Sequence, residues 1–199
     1  MNSPNIERDE AGDPAYAFKP SLIGTTSEFR LAPDALHWRI GRRSGRIPYD
    51  RIRAVRLSYR PVTMQSHRFI AEIWAADNPK IQIASVSWQS LVEQRRQDAA
   101  YSAFVAELHR RIAAAGSAAR FSTGVPVATY WIGVVVFAAV IVAVGVLAVR
   151  SAMFGQWGAS AIVAVFFLVF AYQLGNYFRR NRPLRYRPNA IPPALLPSG

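Results

Sequence analysis

Two kinds of apolar pattern divide the chain. Between residues 27 and 90 the apolar side chains come in short, often alternating runs cut by turn residues, the spacing of half-buried β-strands. FRL (29–31), the turn APDA and LHWRI (36–40) read as a hairpin with Leu36, Trp38 and Ile40 on one face and His37 and Arg39 on the other. The glycine-bracketed turn GRRSG (41–45) follows. In RAVRLSY (53–59), Val55, Leu57 and Tyr59 share a face with Arg53, leaving Arg56 and Ser58, with Arg60 beyond, on the opposite one. RFIAEIWA (68–75), the turn ADNP and KIQIASVSW (80–88) predict a second hairpin. The period then lengthens. DAAYSAFVAELHRRIAAAG (98–116) sets Tyr101, Phe104, Val105, Leu108 and Ile112 at helical spacing, with Asp98 as N-cap and Gly116 as stop. Beyond it lie two continuous apolar runs, YWIGVVVFAAVIVAVGVLAV (130–149) and WGASAIVAVFFLVFAYQLGNYF (157–178), 20 and 22 residues long. At 1.5 Å per residue each makes a helix of about 30 Å, the thickness of a hydrocarbon core. The connection RSAMFGQ (150–156) is short enough to require an antiparallel hairpin.

These elements predict an α+β membrane protein: a small antiparallel β barrel or sandwich capped by one C-terminal helix, followed by two transmembrane α-helices. The expected layout is a disordered tail over 1–26, the β domain over 27–116, a linker over 117–127, the transmembrane hairpin over 128–178, and a basic proline-rich tail over 179–199. Five prolines exclude a regular helix from that last tail. Two readings of it stay open: a chain without fixed structure, or one whose Ile191, Leu195 and Leu196 dock in a groove of the β domain or of a partner.

Charge sharpens the picture. The chain of 199 residues carries a formal net charge of +12, yet 51% of it is hydrophobic. The two facts reconcile because they occupy different segments: net −2 over residues 1–26, +8 over 27–120, +1 over 121–178 and +5 over 179–199. Arg150 is the single charge of the third segment. Arginines Arg110, Arg111 and Arg120 precede the first run, and Arg179, Arg180, Arg182, Arg185 and Arg187 follow the second. The positive-inside rule then predicts two spans with both termini cytoplasmic. Tyr130, Trp131, Trp157, Tyr172 and Tyr177, with Arg179 and Arg180, are the expected membrane-interface residues. Gln173 and Asn176 read as interface polar residues, and the pairs Ala139 with Ala143 and Ala171 with Gly175 as sites of close helix approach.

FRLAPDALHWRIGRRSGRIPYDRIRAVRLSY has the order hairpin, short basic strand, I-P-Y-D-R-I corner and further strand. It resembles the start of a bacterial pleckstrin-homology-like domain over about residues 27–115, and the helix that closes this region fits the resemblance. The family implies an interaction module, often joined to a helical hairpin in a bacterial inner membrane. It brings no catalytic residue and no ligand.

Chemistry-bearing residues are sparse. There is no cysteine, hence no disulfide or thiolate metal site. His37, His67 and His109 stand at no metal-ligand spacing and read as surface or interface residues, so no catalytic residue, metal or cofactor is expected. Eight arginines against the single acid Asp50 fill residues 39–60. Nucleic acid is disfavoured as their target, since zinc ligands, RNP-type aromatics and a helix-turn-helix are all missing from the sequence. Arg39, Arg42, Arg43, Arg46, Arg56 and Arg60 are the candidate residues for binding anionic lipid or a partner. The expectation is a membrane scaffold that contacts lipids and binds or self-associates with proteins; the alternative is an accessory or assembly subunit of a larger inner-membrane complex.

Overall fold

The computed structural model describes residues 8–21, 23–61, 67–89, 94–193 and 196–197. The chain divides into two compact units, Met1–Thr123 with Leu184–Gly199, and Gly124–Pro183.

The first unit is an α+β domain. Strands β1 (Ala15–Phe18), β2 (Ser27–Leu31), β3 (Ala35–Ile40) and β4 (Arg43–Pro48) form an antiparallel sheet in that order. A 3-10 turn at Tyr49–Arg51 leads into β5 (Ile52–Pro61), β6 (His67–Ala75) and β7 (Ile81–Ala84). These make a second sheet, completed on its far edge by β10 (Arg120–Thr123), which runs parallel to β5. Strands β8 (Val86–Trp88) and β9 (Gln94–Arg96) form a separate ribbon, and α1 (Asp98–Ala114) follows it. The barrel alternative does not hold: among the described residues no ladder joins the sheets, because the chain turns a corner at Pro48–Arg51 between β4 and β5.

The alternation read from sequence sets the faces of β3 and the middle of β5, but a register shift between Ile52 and Ala54 leaves Arg53 exposed, and Ser58 is buried rather than outward. Leu36, Trp38, Val55 and Leu57 are buried, whereas Arg39 and Arg56 lie on the outer faces. The inner faces of both sheets share one core with α1, whose Tyr101, Phe104, Val105, Leu108 and Ile112 are fully buried. Each such large apolar side chain contributes about 1.5–3 kcal/mol of transfer free energy. Gly116, at φ +63°, ends the helix turn as expected. The N-cap is Gln97 rather than Asp98; Asp98 enters the first turn and pairs with Arg96 at 2.5 Å.

Parts of two segments expected to lack regular structure form strands, and of the two readings of the tail the docked one is seen at its described residues. Residues 15–18 form β1 and bury Tyr16 and Phe18; the Tyr16 ring packs on Phe104 with centroids 5.6 Å apart, and its hydroxyl donates to the Ala84 carbonyl. Four residues of alternating pattern suffice once a paired edge and a helix receive them. The expected linker contains β10, which buries Phe121. The proline-rich tail lies against the same unit. Thr123 N–H donates to the Leu184 carbonyl (2.8 Å), Tyr186 N–H to the Phe121 carbonyl (3.2 Å), and Ile191 and Leu196 pack on the core. Leu195 lies outside the described residues.

The second unit is the helical hairpin α2 (Val127–Met153) and α3 (Trp157–Arg180). Both helices are long and apolar enough to cross a membrane. Gly133 faces the Phe178 ring, Phe137 and Tyr130 pack on that ring, and Ser160 Oγ reaches the Ala148 carbonyl, so these residues mark the seam. Ala139 and Ala143 are exposed and lie off it, and a Cβ on Gly175 would meet nothing within 4 Å. Aromatic filling against Gly133, rather than the alanine pairs, brings the helices together. Trp131, Trp157 and Tyr172 are exposed, while Tyr130, Tyr177 and Arg180 are half-buried.

Candidate functional site

The six arginines singled out by sequence are not one patch. Arg39 and Arg46 lie on the outer face of the first sheet, where the register aligns Arg30, His37 and Arg46 in one row and Glu28, Arg39 and Ser44 in the next. A shallow cavity of about 750 Å³ runs along these rows. Its charge is balanced: Arg30 pairs with Asp9 (3.4 Å), Arg39 with Glu28 (3.3 Å), and Arg46 with Asp34. Such exposed pairs contribute little to stability, but they cancel the field an anion would feel. Arg42 and Arg43, at the tip of the β3–β4 hairpin, are exposed and make no ion pair with a described residue.

Arg56 and Arg60 belong to a different constellation, on the outer face of the second sheet. Its centre is Glu72 on β6, directly opposite Arg56 on β5 and Gln82 on β7. The Glu72 side chain is only 6% exposed. Lys80 Nζ donates to its Oε1 at 3.1 Å and Gln82 Nε2 at 2.8 Å, while guanidinium nitrogens of Arg56 and Arg60 stand 3.9 and 3.8 Å away. Burial by itself raises the Glu72 pKa. The hydrogen bonds from Lys80 and Gln82 and the charges of Lys80 and Arg60 outweigh it and hold the carboxyl below its ordinary range. Trp74 flanks the cluster, with Arg56 at 5.0 Å and Lys80 at 5.9 Å from the ring centroid.

Arg68 adds a fourth cation that the sequence reading passed over. It sits directly opposite Arg60 in the β5–β6 ladder. Its parity with Glu72 along β6 was visible in RFIAEIWA, but the segment 62–66 hid which β5 residue it would meet. A second cavity, of about 350 Å³, is lined by Arg60, Arg68, Lys80 and Gln82 and by apolar side chains including Ile70 and Trp88. Three cations around the Glu72 carboxylate, with Arg68 opposite Arg60, leave this face with an excess of positive charge among the described residues.

The histidines take no part in it. His37 lines the balanced cavity, and the His67 side chain lies outside the described residues. His109, expected at a surface or interface, is fully buried under the tail. It hydrogen-bonds the Val105 carbonyl through Nδ1 (2.7 Å), which leaves Nε2 to accept from the Tyr186 hydroxyl (2.8 Å). Burial lowers its pKa from 6.5 to about 4, so the ring is neutral at pH 7.

No family model, curated protein or solved structure matches the chain. Fold and site therefore define a class directly: an α+β domain with a basic cluster on one sheet face, in one chain with two helices that have the length and composition of membrane spans.

Proposed function

We propose that the chain is an integral membrane interaction protein of a bacterial inner membrane. Helices α2 and α3 span the bilayer, both termini are cytoplasmic, and the α+β domain, pleckstrin-homology-like in plan, meets protein partners or anionic headgroups at the cytoplasmic face. The observation that carries the reading is the apolar exterior of the hairpin. Ile132, Val142 and Leu147 on α2 and Phe166, Leu168 and Phe170 on α3 are all more than half exposed, and no residue of α2 is buried. An apolar surface that long is costly in water and matches a hydrocarbon environment. The arginine bias sets direction, with Arg179, Arg180 and Arg182 at one end of the hairpin against Arg150 alone at the other.

Chemistry then limits what the domain does. Two spans anchor the chain effectively irreversibly, so basic side chains orient the domain rather than recruit it. Arg42 and Arg43 suit that role at about 1 kcal/mol each close to an anionic leaflet.

The absence of cysteine makes the test direct. Single variants Ser151→Cys, in the last turn of α2, and Asn189→Cys, in the tail, are labelled with an impermeant maleimide on intact and on permeabilised cells. Ser151→Cys reacts on intact cells and Asn189→Cys only after permeabilisation of the inner membrane. Equal labelling of the two positions, or release of the chain by alkaline carbonate, refutes the two-span reading.

A further inference from the structure

We infer that the cavity bounded by Arg60, Arg68 and Lys80 is a binding site for a phosphate group. The register makes the argument. Arg60 and Arg68 face each other directly across the β5–β6 ladder, a placement in which like charges repel. One carboxylate, Glu72, answers Arg56, Arg60 and Lys80 together, and it makes no ion pair with Arg68. The Arg68 Nε is buried and has no hydrogen-bond partner among the described residues. A buried donor left unpaired is costly, more so when it is charged. Burial, and then the neighbouring charge of Arg60, pushes the Arg68 pKa below the ordinary arginine value. An anion in the cavity would relieve the repulsion and satisfy the donor at once.

Phosphate fits better than a carboxylate. The cavity is lined by two residues with planar guanidinium groups and one with an ammonium, from two strands and the start of a third, and a tetrahedral group can offer each a separate oxygen. Among the described residues the three cations lining the cavity, less the Glu72 carboxylate, leave an excess of two, which suits a dianion. The remainder of the wall is apolar, with Ile40, Ile70 and Trp88, and the volume of about 350 Å³ leaves room for an apolar body beside the phosphate. Phosphate can reach the site on a lipid headgroup or on a free phosphate compound. The inference deepens the anionic-headgroup reading above, and rests on it for the lipid source.

The test uses the full chain in uncharged detergent micelles, titrated calorimetrically with inorganic phosphate, with short-chain phosphatidic acid and with the matching phosphatidylcholine. Saturable binding of inorganic phosphate and of phosphatidic acid is expected, weakened at least tenfold by R68Q and by R60Q. The double variant R51Q/R95Q, which removes two exposed arginines elsewhere on the unit, should change it less than twofold. Should R68Q not fold, R60Q carries the test, since that side chain is already 46% exposed. Phosphatidic acid binding at least tenfold tighter than inorganic phosphate assigns the site to lipid; equal affinity assigns it to a free phosphate compound. Absence of saturable binding, or an equal loss in R51Q/R95Q, overturns the inference. That failure leaves the labelling result for the two spans untouched, and a failed topology leaves the inorganic phosphate titration valid.

Discussion

Glu72→Gln has two effects of opposite sign. The carboxylate is almost fully buried and holds Lys80 and Gln82 by hydrogen bonds, with Arg56 and Arg60 close by. Removing one partner from a buried ion pair costs about 3–5 kcal/mol. Here the Lys80 and Arg60 side chains remain 44% and 46% exposed and can turn to water, which discounts the figure. A loss of about 2–3 kcal/mol is expected. At about 3 °C per kcal/mol for a unit of this size, the melting temperature falls by about 6–9 °C. The wild-type carboxyl titrates below its ordinary value of 4.5. The unfolded chain therefore takes up this proton first as pH falls, and stability contributed by Glu72 is present above about pH 4.5 and lost below it. Glu72→Gln removes that acid-range slope. The same change takes away the only carboxylate of the cluster among the described residues and should tighten phosphate binding several-fold. Urea unfolding followed by tryptophan fluorescence, at pH 7 and pH 4 in the same detergent, reads the stability; calorimetry reads the affinity. A variant within about 0.5 kcal/mol of wild type at pH 7, or one that keeps the full acid slope, would refute the assignment of Glu72 as the electrostatic centre of this face.

Four further outcomes follow from other sites. Tyr186→Phe strands the buried His109 Nε2 acceptor at a cost of about 1–2 kcal/mol, read as faster hydrogen exchange over residues 184–193. Because burial lowers the His109 pKa from 6.5 to about 4, the unfolded chain binds a proton that the folded chain refuses between those values. Stability thus declines as pH falls from 6.5 towards 4, by at most about 3 kcal/mol. His109→Gln flattens the part of that slope between pH 6.5 and 5, above the range in which Glu72 titrates. Gly124→Ala would place a Cβ 2.0 Å from the Asn181 carbonyl oxygen at a φ of +72°, against backbone that cannot yield, and costs more than about 3 kcal/mol. Gly116→Ala, at φ +63° in open space, costs about 1–2 kcal/mol by the same melting assay.

Patterns with many repeats were legible in the sequence, and pairings across the chain were not. Alternation along β3 and β5, helical spacing in α1 and the unbroken apolar runs of α2 and α3 each supply five or more residues to one signal. Strand β1 supplies four, inside a segment whose acids, glycines and prolines read as disorder, and only its neighbours Phe29 and Phe104 make Tyr16 a core residue. The tail was obscured in the same way, since prolines exclude helix but not an extended chain held by two backbone hydrogen bonds to β10, side-chain bonds from Thr123 and Ser102, and a tyrosine. The arginines were legible as charge and not as a site. Arg46 finds Asp34 across a turn, Arg39 finds Glu28 on the preceding strand, and Arg56 finds Glu72 on the following one. Each acid stands 11 to 16 positions away, and strand register alone decides that Arg39 and Arg46 are neutralised while Arg60 and Arg68 are left facing each other.

The hydrogen bonds between β10 and residues 184–186 make the helical hairpin an insertion, because the domain is assembled from chain on both sides of it. Synthesis must therefore pass through all of residues 124–183 before the last piece of the domain exists. A ribosome that has just finished α3 carries a domain whose His109 still lacks its cover and whose β10 edge is still unpaired on one side. Completion of the domain thus reports that both long helices have already been made. A chain interrupted within the hairpin leaves the tail's docking groove open, where chaperones and proteases can recognise it.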